Sequence, residues 1–171
     1  LFYKHDKIPT AEQIIEQSKE MFLRFHSHLS EIENTNVCQC GACRTASNLS
    51  LKFITHLGEL REVKIKDFNK LIGSDLILAH RLLKNQIKKN EYLLFSDFYF
   101  TNYSSENTNY EDWVSFSATS EEVEKFGSVT MRYVDFEPLL EKVEEYVKKE
   151  EPNINKDKPD ISVTIEAPIL L

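Results

Sequence analysis

The 171-residue sequence lacks long hydrophobic runs and has little basic charge. No apolar stretch approaches the ~20 residues that cross a bilayer as a helix, and no charged segment followed by an apolar one opens the chain as a signal peptide would. We therefore expect no membrane span and a cytoplasmic location. The chain has 21 basic and 28 acidic residues, which gives a net charge of −7. Because binding to a duplex needs clustered cations, we expect no nucleic-acid partner.

Cysteine is also scarce. The chain has three cysteines, an odd number that does not make a disulfide scaffold, and reduced thiols fit a cytoplasmic protein. Cys38, Cys40 and Cys43 lie within six residues, and Gly41 gives this loop the freedom to wrap around an ion. These thiols are a candidate zinc site that supplies three of four ligands, with a histidine or a partner's residue as the fourth. The alternatives are a reduced, partly buried loop and a redox switch.

The composition fits one folded domain with a short appendage. At 41% hydrophobic residues the chain can bury one core, which we place over residues 1–147. Residues 148–160 are rich in charged residues and contain two prolines, a composition typical of a solvated linker. Residues 161–171 begin a new strand pattern. Since the chain also starts without a methionine in an apolar segment, we expect it to be a piece of a larger protein.

Residues 49–85 carry the clearest pattern. Residues 49–55 alternate between apolar and polar, as a half-buried strand does, and residues 60–66 alternate again after a turn at Gly58. This predicts an antiparallel hairpin over a core. From Ser74 the period changes: Leu76, Ala79 with His80, Leu83 and Ile87 recur at three and four. This predicts a helix that begins just after Gly73 and packs back on the hairpin.

The remaining elements are predicted from shorter patterns. A Thr-x-x-Gln capping box at residues 10–13 begins a helix of about 24 residues. Its expected buried face is Ile14, Ser18, Met21, Phe22, Phe25, Leu29 and Ile32. Further expected elements are strands at 1–4, 92–95 and 128–135, an aromatic segment across the sheet at 97–103, a short acidic helix or turn at 120–126, and an amphipathic helix from Glu137.

Two motifs resemble the second half of the class III nucleotidyl cyclase domain. The turn His-Leu-Gly-Glu at 56–59 resembles that family's His-Thr-Gly-Glu-like turn. The run Gly-Ser-Asp-Leu-Ile-Leu-Ala-His-Arg-Leu at 73–82 resembles its helix start, Gly-Asp-x-Val-Asn-x-Ala-x-Arg-Leu. With the cysteine run, the chain is similar to an uncharacterised bacterial family in which such a domain precedes a helix-grip, lipid-transfer-like domain. The resemblance covers residues 1–135.

This resemblance implies an α+β fold. The fold would be a ferredoxin-like antiparallel sheet of the nucleotidyl cyclase type with helices packed on it, whose N-terminal elements are missing from this chain. It also implies a homodimer, because cyclase sites form between two such domains.

The resemblance further implies which residues would meet a nucleotide. Cyclases hold Mg²⁺ or Mn²⁺ on two aspartates, and both positions fall before Leu1. The base-reading position carries Lys70, and the position of the transition-state asparagine carries Ile77, which cannot donate a hydrogen bond. Arg81 alone matches. The candidate nucleotide-binding residues are therefore Arg81 and Lys70, and no catalytic residue is expected. His80 is interpreted as a packing histidine at the buried edge of the helix.

These observations favour a cyclase-homology domain that no longer makes cyclic nucleotides and serves as a regulatory or interaction module in signalling. One alternative is an active cyclase, a phosphorus–oxygen lyase that acts on ATP or GTP, whose metal-binding half lies outside this chain. The other is a zinc-stabilised binding domain. Fold alone cannot choose among them, because one scaffold hosts many functions.

Overall fold

The computed structural model describes residues 8–35, 45, 48–105 and 109–154. Within these residues the chain forms four helices, six strands and a short 3-10 turn. The helices are α1 (Ala11–Thr35), α2 (Ser74–Leu82), α3 (Asp97–Tyr103) and α4 (Leu140–Ile154), the last preceded by the 3-10 turn (Glu137–Leu139). The strands are β1 (Lys52–Thr55), β2 (Arg61–Ile65), β3 (Phe68–Ile72), β4 (Tyr92–Ser96), β5 (Phe116–Val123) and β6 (Gly127–Asp135).

Helix α1 begins at the predicted capping box. The backbone N–H of Thr10 donates to Oε1 of Gln13 at 2.9 Å, and the backbone N–H of Gln13 donates to Oγ1 of Thr10 at 3.4 Å. The prediction of this helix is confirmed. Its predicted buried face is only partly right, because Met21 and Ile32 are exposed. The side chains that do enter the core from α1 are Ala11, Ile15, Ser18, Phe22, Leu23 and Leu29.

A four-stranded sheet of order β1-β4-β6-β5 organises the fold. Strands β1 and β4 are parallel, whereas β4 with β6 and β5 with β6 are antiparallel. The sheet is therefore mixed rather than antiparallel, and the fold is α+β. Every residue of β4 is buried, since helices cover both faces of the sheet at this strand. Leu93 and Phe95 point into the core with α1 and α4, and Tyr92 and Leu94 point into the core with α2.

The predicted hairpin between residues 49–55 and 60–66 is wrong. Strand β1 pairs with β4, and β2 pairs instead with β3, with Ile65 opposite Phe68. The chain reverses at Lys66 and Asp67, where Lys66 has a φ of 56°, and not at Gly58. Local alternation identified β2 correctly but did not identify its partner β3, where the sequence pattern predicted a glycine turn instead of a strand.

Other differences are local. Residues 97–103 form helix α3, and residues 120–123 belong to strand β5, which turns into β6 through Lys125 and Gly127 at φ of 72° and 74°. Helix α4 continues to Ile154, into the segment expected to be a linker. Helix α2 buries Leu78 and Leu82, whereas Leu83, on the face predicted to be buried, is 46% exposed. The predicted strands at 1–4 and 161–165 lie outside the described residues.

Glu91 joins α1 to the start of β1. Its Oε1 accepts a hydrogen bond from the backbone N–H of Leu51 at 2.8 Å and lies 2.8 Å from Nε2 of His26. The side chains of Glu91 and His26 are largely buried, and the rings of Phe22 and Phe25 flank the imidazole.

We expect Glu91→Ala to lower the free energy of unfolding by about 2 kcal/mol, because it leaves a partly buried backbone N–H and a partly buried imidazole without their acceptor. Urea denaturation measures the change. The control is Glu33→Ala on the exposed face of α1, which should cost less than about 0.5 kcal/mol. Equal losses in both variants would show that the Glu91 bridge contributes nothing specific.

Glu12 fastens the segment around Ser105 and Tyr110 to the start of α1. Burial raises its pKa, but hydrogen bonds from the Ser105 N–H and from the hydroxyls of Thr10 and Tyr110 outweigh burial and lower the pKa from 4.5 to about 2. The charged form is therefore more stable in the folded chain than in the unfolded chain.

The lowered pKa predicts acid sensitivity. The contribution of Glu12 to stability is complete above about pH 5 and is lost as the pH falls towards 2, because the folded pKa lies below the unfolded one. Glu12→Gln should lose less stability between about pH 6 and pH 3 than the unmodified chain does. Thermal unfolding across this range tests it, with the exposed Glu33→Gln as control. A Glu12→Gln profile parallel to that of the unmodified chain would contradict it.

Candidate functional site

The turn at residues 56–59 is held by side chains from two other elements. Nδ1 of His56 lies 3.0 Å from Oγ of Ser96 at the end of β4, and Nε2 lies 3.3 Å from Oδ1 of Asp75 in the first turn of α2. Oδ2 of Asp75 accepts the backbone N–H of Glu59 at 2.9 Å. One carboxylate and one imidazole therefore connect β4, the turn and α2.

These three side chains have the types found in hydrolytic triads, but their arrangement does not suit nucleophilic catalysis. Ser96 is only 3% exposed, so a substrate cannot reach its hydroxyl. Both nitrogens of His56 have partners, and its side chain is mostly buried. The cluster is an internal polar bridge that fixes the turn. Sequence reasoning missed it, since Ser96 lies 40 residues after His56 and no local pattern relates them.

Two glycines allow this close approach. A Cβ at Gly58 would overlap the side chain of Asp75, and a Cβ at Gly73 would lie 2.6 Å from the backbone oxygen of Glu59. Gly58 and Gly73 therefore permit the segments that enter and leave β2 and β3 to pass against the start of α2. Any larger residue at either position must displace this crossing.

Strands β2 and β3 with their turn form what we call the arm, residues 61–72. They make a two-stranded sheet of their own, separate from the four-stranded sheet. Every arm residue except Val63 is exposed, including Phe68 at 62%. The arm is thus attached to the body through the crossing at Gly58, Gly73 and Asp75.

The structure does not combine the predicted nucleotide-binding residues into one pocket. Arg81 lies on α2, where its Nη2 donates to Oε2 of Glu124 at 3.2 Å, whereas Lys70 lies on β3 in the arm. Ile77, at the position of the cyclase asparagine, is 54% exposed. His80 is exposed, so its interpretation as a buried packing histidine is wrong, because α2 turns Leu78 and Leu82 to the core instead.

Two shallow depressions mark other parts of the surface. One of about 380 Å³ is lined by Asn109, Tyr110, Glu111, Asp112 and Lys142. The other, of about 290 Å³, is lined by Lys88, Lys89, Asn90, Glu91, Asp135, Glu137 and Leu140. Neither includes Arg81 or Lys70, so neither supports the nucleotide site that the sequence predicted.

Two further expectations concern metal binding and the crossing of a membrane. Within the described ranges no group of three histidine, cysteine, aspartate or glutamate side chains is placed to hold a metal ion. Cys38, Cys40 and Cys43, the candidate zinc ligands, lie outside those ranges. For the same part of the chain, none of the helices combines the length and apolar character needed to cross a membrane.

Comparison with known proteins identifies a family for this chain but assigns no activity to it. The model of the family described as protein of unknown function (DUF2652) matches residues 1–92, more than half of the chain. The uncharacterized protein Rv2561/Rv2562 of Mycobacterium tuberculosis is 38% identical over 88 residues, which cover 52% of this chain and 42% of the relative. The match thus spans about two fifths of that relative's length. No solved structure matches the chain.

Asp75→Ala should loosen the arm, because it removes the acceptor of the Glu59 N–H and the partner of His56. The arm contains Arg61, Lys64, Lys66 and Lys70, which are trypsin sites. We expect tryptic cleavage within residues 61–72 to become about tenfold faster, consistent with loss of roughly 1.4 kcal/mol against local opening.

Mass spectrometry of the early fragments measures this change. The control is Asp112→Ala, an exposed aspartate far along the chain from the turn. Unchanged cleavage of the arm in Asp75→Ala, or equal acceleration in both variants, would mean that Asp75 does not hold the arm.

Proposed function

Since the chain belongs to the DUF2652 family of proteins of unknown function, we propose that it is a cyclase-homology domain that does not cyclise nucleotides and serves as a regulatory or interaction module. The module acts as a homodimer in the cytoplasm. Its finer fold is the ferredoxin-like type of the nucleotidyl cyclases.

The order of elements around α2 supports the cyclase-like part of the proposal. Strand β1 leads through the 56–59 turn into the arm, and the arm leads through Gly73 directly into α2. The motifs that resemble the cyclase family are thus adjacent in space, joined by the hydrogen bond from the Glu59 N–H to Asp75.

The surface of α2 is the observation that supports the non-catalytic part of this proposal. Phosphoryl transfer needs cations and hydrogen-bond donors that meet the charge developing on the phosphates. Ile77 supplies neither from the position where cyclases have an asparagine, and it is exposed instead of packed. Arg81, one turn further on, already has the carboxylate of Glu124 as its partner. A scaffold that keeps the helix and replaces its donors suits binding better than catalysis.

A titration with nucleotides tests this proposal. We expect no thermal shift of the folded chain with ATP or GTP in the presence of Mg²⁺ or Mn²⁺, because a ligand that binds the native state must raise its apparent stability as its concentration exceeds Kd. We expect the same result for Glu124→Gln, which removes the charge facing Arg81.

Variants at two helical arginines make the outcome specific. A metal-dependent shift that Arg81→Ala abolishes and Arg24→Ala retains would contradict the proposal and favour the active cyclase. Arg24 is the matched control because it also lies on a helix and pairs with a glutamate, Glu20. Formation of a cyclic nucleotide would then be the decisive assay.

A further inference from the structure

One face of the arm combines apolar and basic side chains. Residues paired across an antiparallel ladder point to the same side of the sheet. The pairs on one side of the arm are Arg61 with Ile72, Val63 with Lys70, and Ile65 with Phe68. We call these six residues the apolar-basic face. The other side carries pairs of a more polar kind, Glu62 with Leu71 and Lys64 with Asn69.

This face is exposed in the part of the chain that the structure describes. An isolated two-stranded sheet is at best marginally stable in water, and among the described residues no third strand pairs with the arm. Ile65, Phe68 and Ile72 are 49%, 62% and 46% exposed on a single side. Contiguous apolar side chains rimmed by charged ones are typical of surfaces that bind another molecule.

The charges decide what the partner is. The arm contains four basic residues against Glu62 and Asp67, a local excess of positive charge in a chain whose net charge is −7. An anionic membrane or a nucleic acid presents an extended negative surface to the arm and to the acidic remainder of the chain alike. A second copy of this chain also carries a net charge of −7, but it offers a local acidic surface that the arm can meet while its other acidic side chains face solvent, where salt screens their repulsion.

The acidic surface lies at the end of the sheet from which the arm also leaves. The β5–β6 ladder continues for four residue pairs beyond Met131, the last residue of β6 that pairs with β4. We call this projecting end, residues 120–130, the acidic tip. It contains Glu121, Glu122 and Glu124 against one lysine. Of these, Glu124 pairs with Arg81 of α2, and Oε1 of Glu121 accepts the backbone N–H of Gln86. Strand β1 is parallel to β4 and ends beside the C-terminal end of β4, where the acidic tip also projects. The arm and the acidic tip therefore leave the sheet at the same end of its strands.

We propose that the apolar-basic face of the arm docks on the acidic tip of a second copy, and that the partner's arm docks in return. The inference rests on the proposed function, whose homodimer it supplies with an interface. Contact between two arms is unfavourable, because it would bring Arg61 and Lys70 against the same cations of the other copy. Two-fold symmetry forms this contact twice. The second contact matters because one face of the arm, about 17 Å long and two strands wide, offers less area than the ~800 Å² that each partner contributes to a standard interface.

Sedimentation velocity on the full chain, over a range of concentrations, tests the interface by exchange of charge. Arg61→Glu with Lys70→Glu should raise the dimer dissociation constant by about tenfold or more, and Glu122→Lys with Glu124→Lys should do the same. All four substitutions together should restore dimerisation towards that of the unmodified chain, since they reverse both surfaces. The four side chains are exposed, so the variants should fold, and circular dichroism checks that they do.

Glu31→Lys with Glu33→Lys on the exposed face of α1 is the matched control, with the same change of charge and no expected effect. A dimer that none of the variants weakens overturns this inference and leaves the proposed homodimer standing on another surface. Weakening without restoration in the fourfold variant overturns the pairing of arm with acidic tip. A chain that is monomeric at every concentration overturns the inference and the homodimer together. Binding of that monomer to phosphatidylserine vesicles, lost in the arm variant, would assign the arm to membranes instead.

Discussion

The close approach of Asp75 to the turn at residues 56–59 is the constraint on which the organisation of the chain depends. The carboxylate accepts the Glu59 N–H and contacts His56, and both contacts require that Gly58 and Gly73 have no side chain. Through Ser96 the same imidazole reaches β4, the most buried strand. The crossing therefore fixes where α2 starts, where the arm leaves, and how both are joined to the sheet.

A rigid base with an exposed arm suits recognition of another molecule. The described residues form a polar bridge at the base of the arm, while the predicted nucleotide residues are divided between α2 and β3. Arg81 pairs with Glu124, and Ile77 offers no donor. Under the proposed function, α2 thus lacks a donor at Ile77 that phosphoryl transfer would use, while the contacts that position the arm are complete. This contrast is the reason to propose an interaction module and to look for its partner along the arm.

The sequence predicted the elements whose signals are local. The capping box located the start of α1, the change of period located α2 at Ser74, and the β-rich segment after Gly127 located β6. Strand β3 was missed because its chain reversal at Lys66 uses neither glycine nor proline. Residues 120–123 were interpreted as a helix or turn because two adjacent glutamates suggest an exposed turn more than a strand, yet pairing with β6 decides their structure. The bridge from His56 to Ser96 joins residues 40 positions apart, which only tertiary pairing brings together.

Hydrogen exchange of the full chain at several protein concentrations tests the central claim most directly. Exchange at the backbone amides of β2 and β3 reports whether the arm is covered, and β4 in the same sample provides an internal reference because its residues are buried within one copy. The account predicts that protection of the arm rises with protein concentration while protection of β4 stays constant. Protection of the arm that does not change with concentration would contradict the claim that a second copy of this chain covers it.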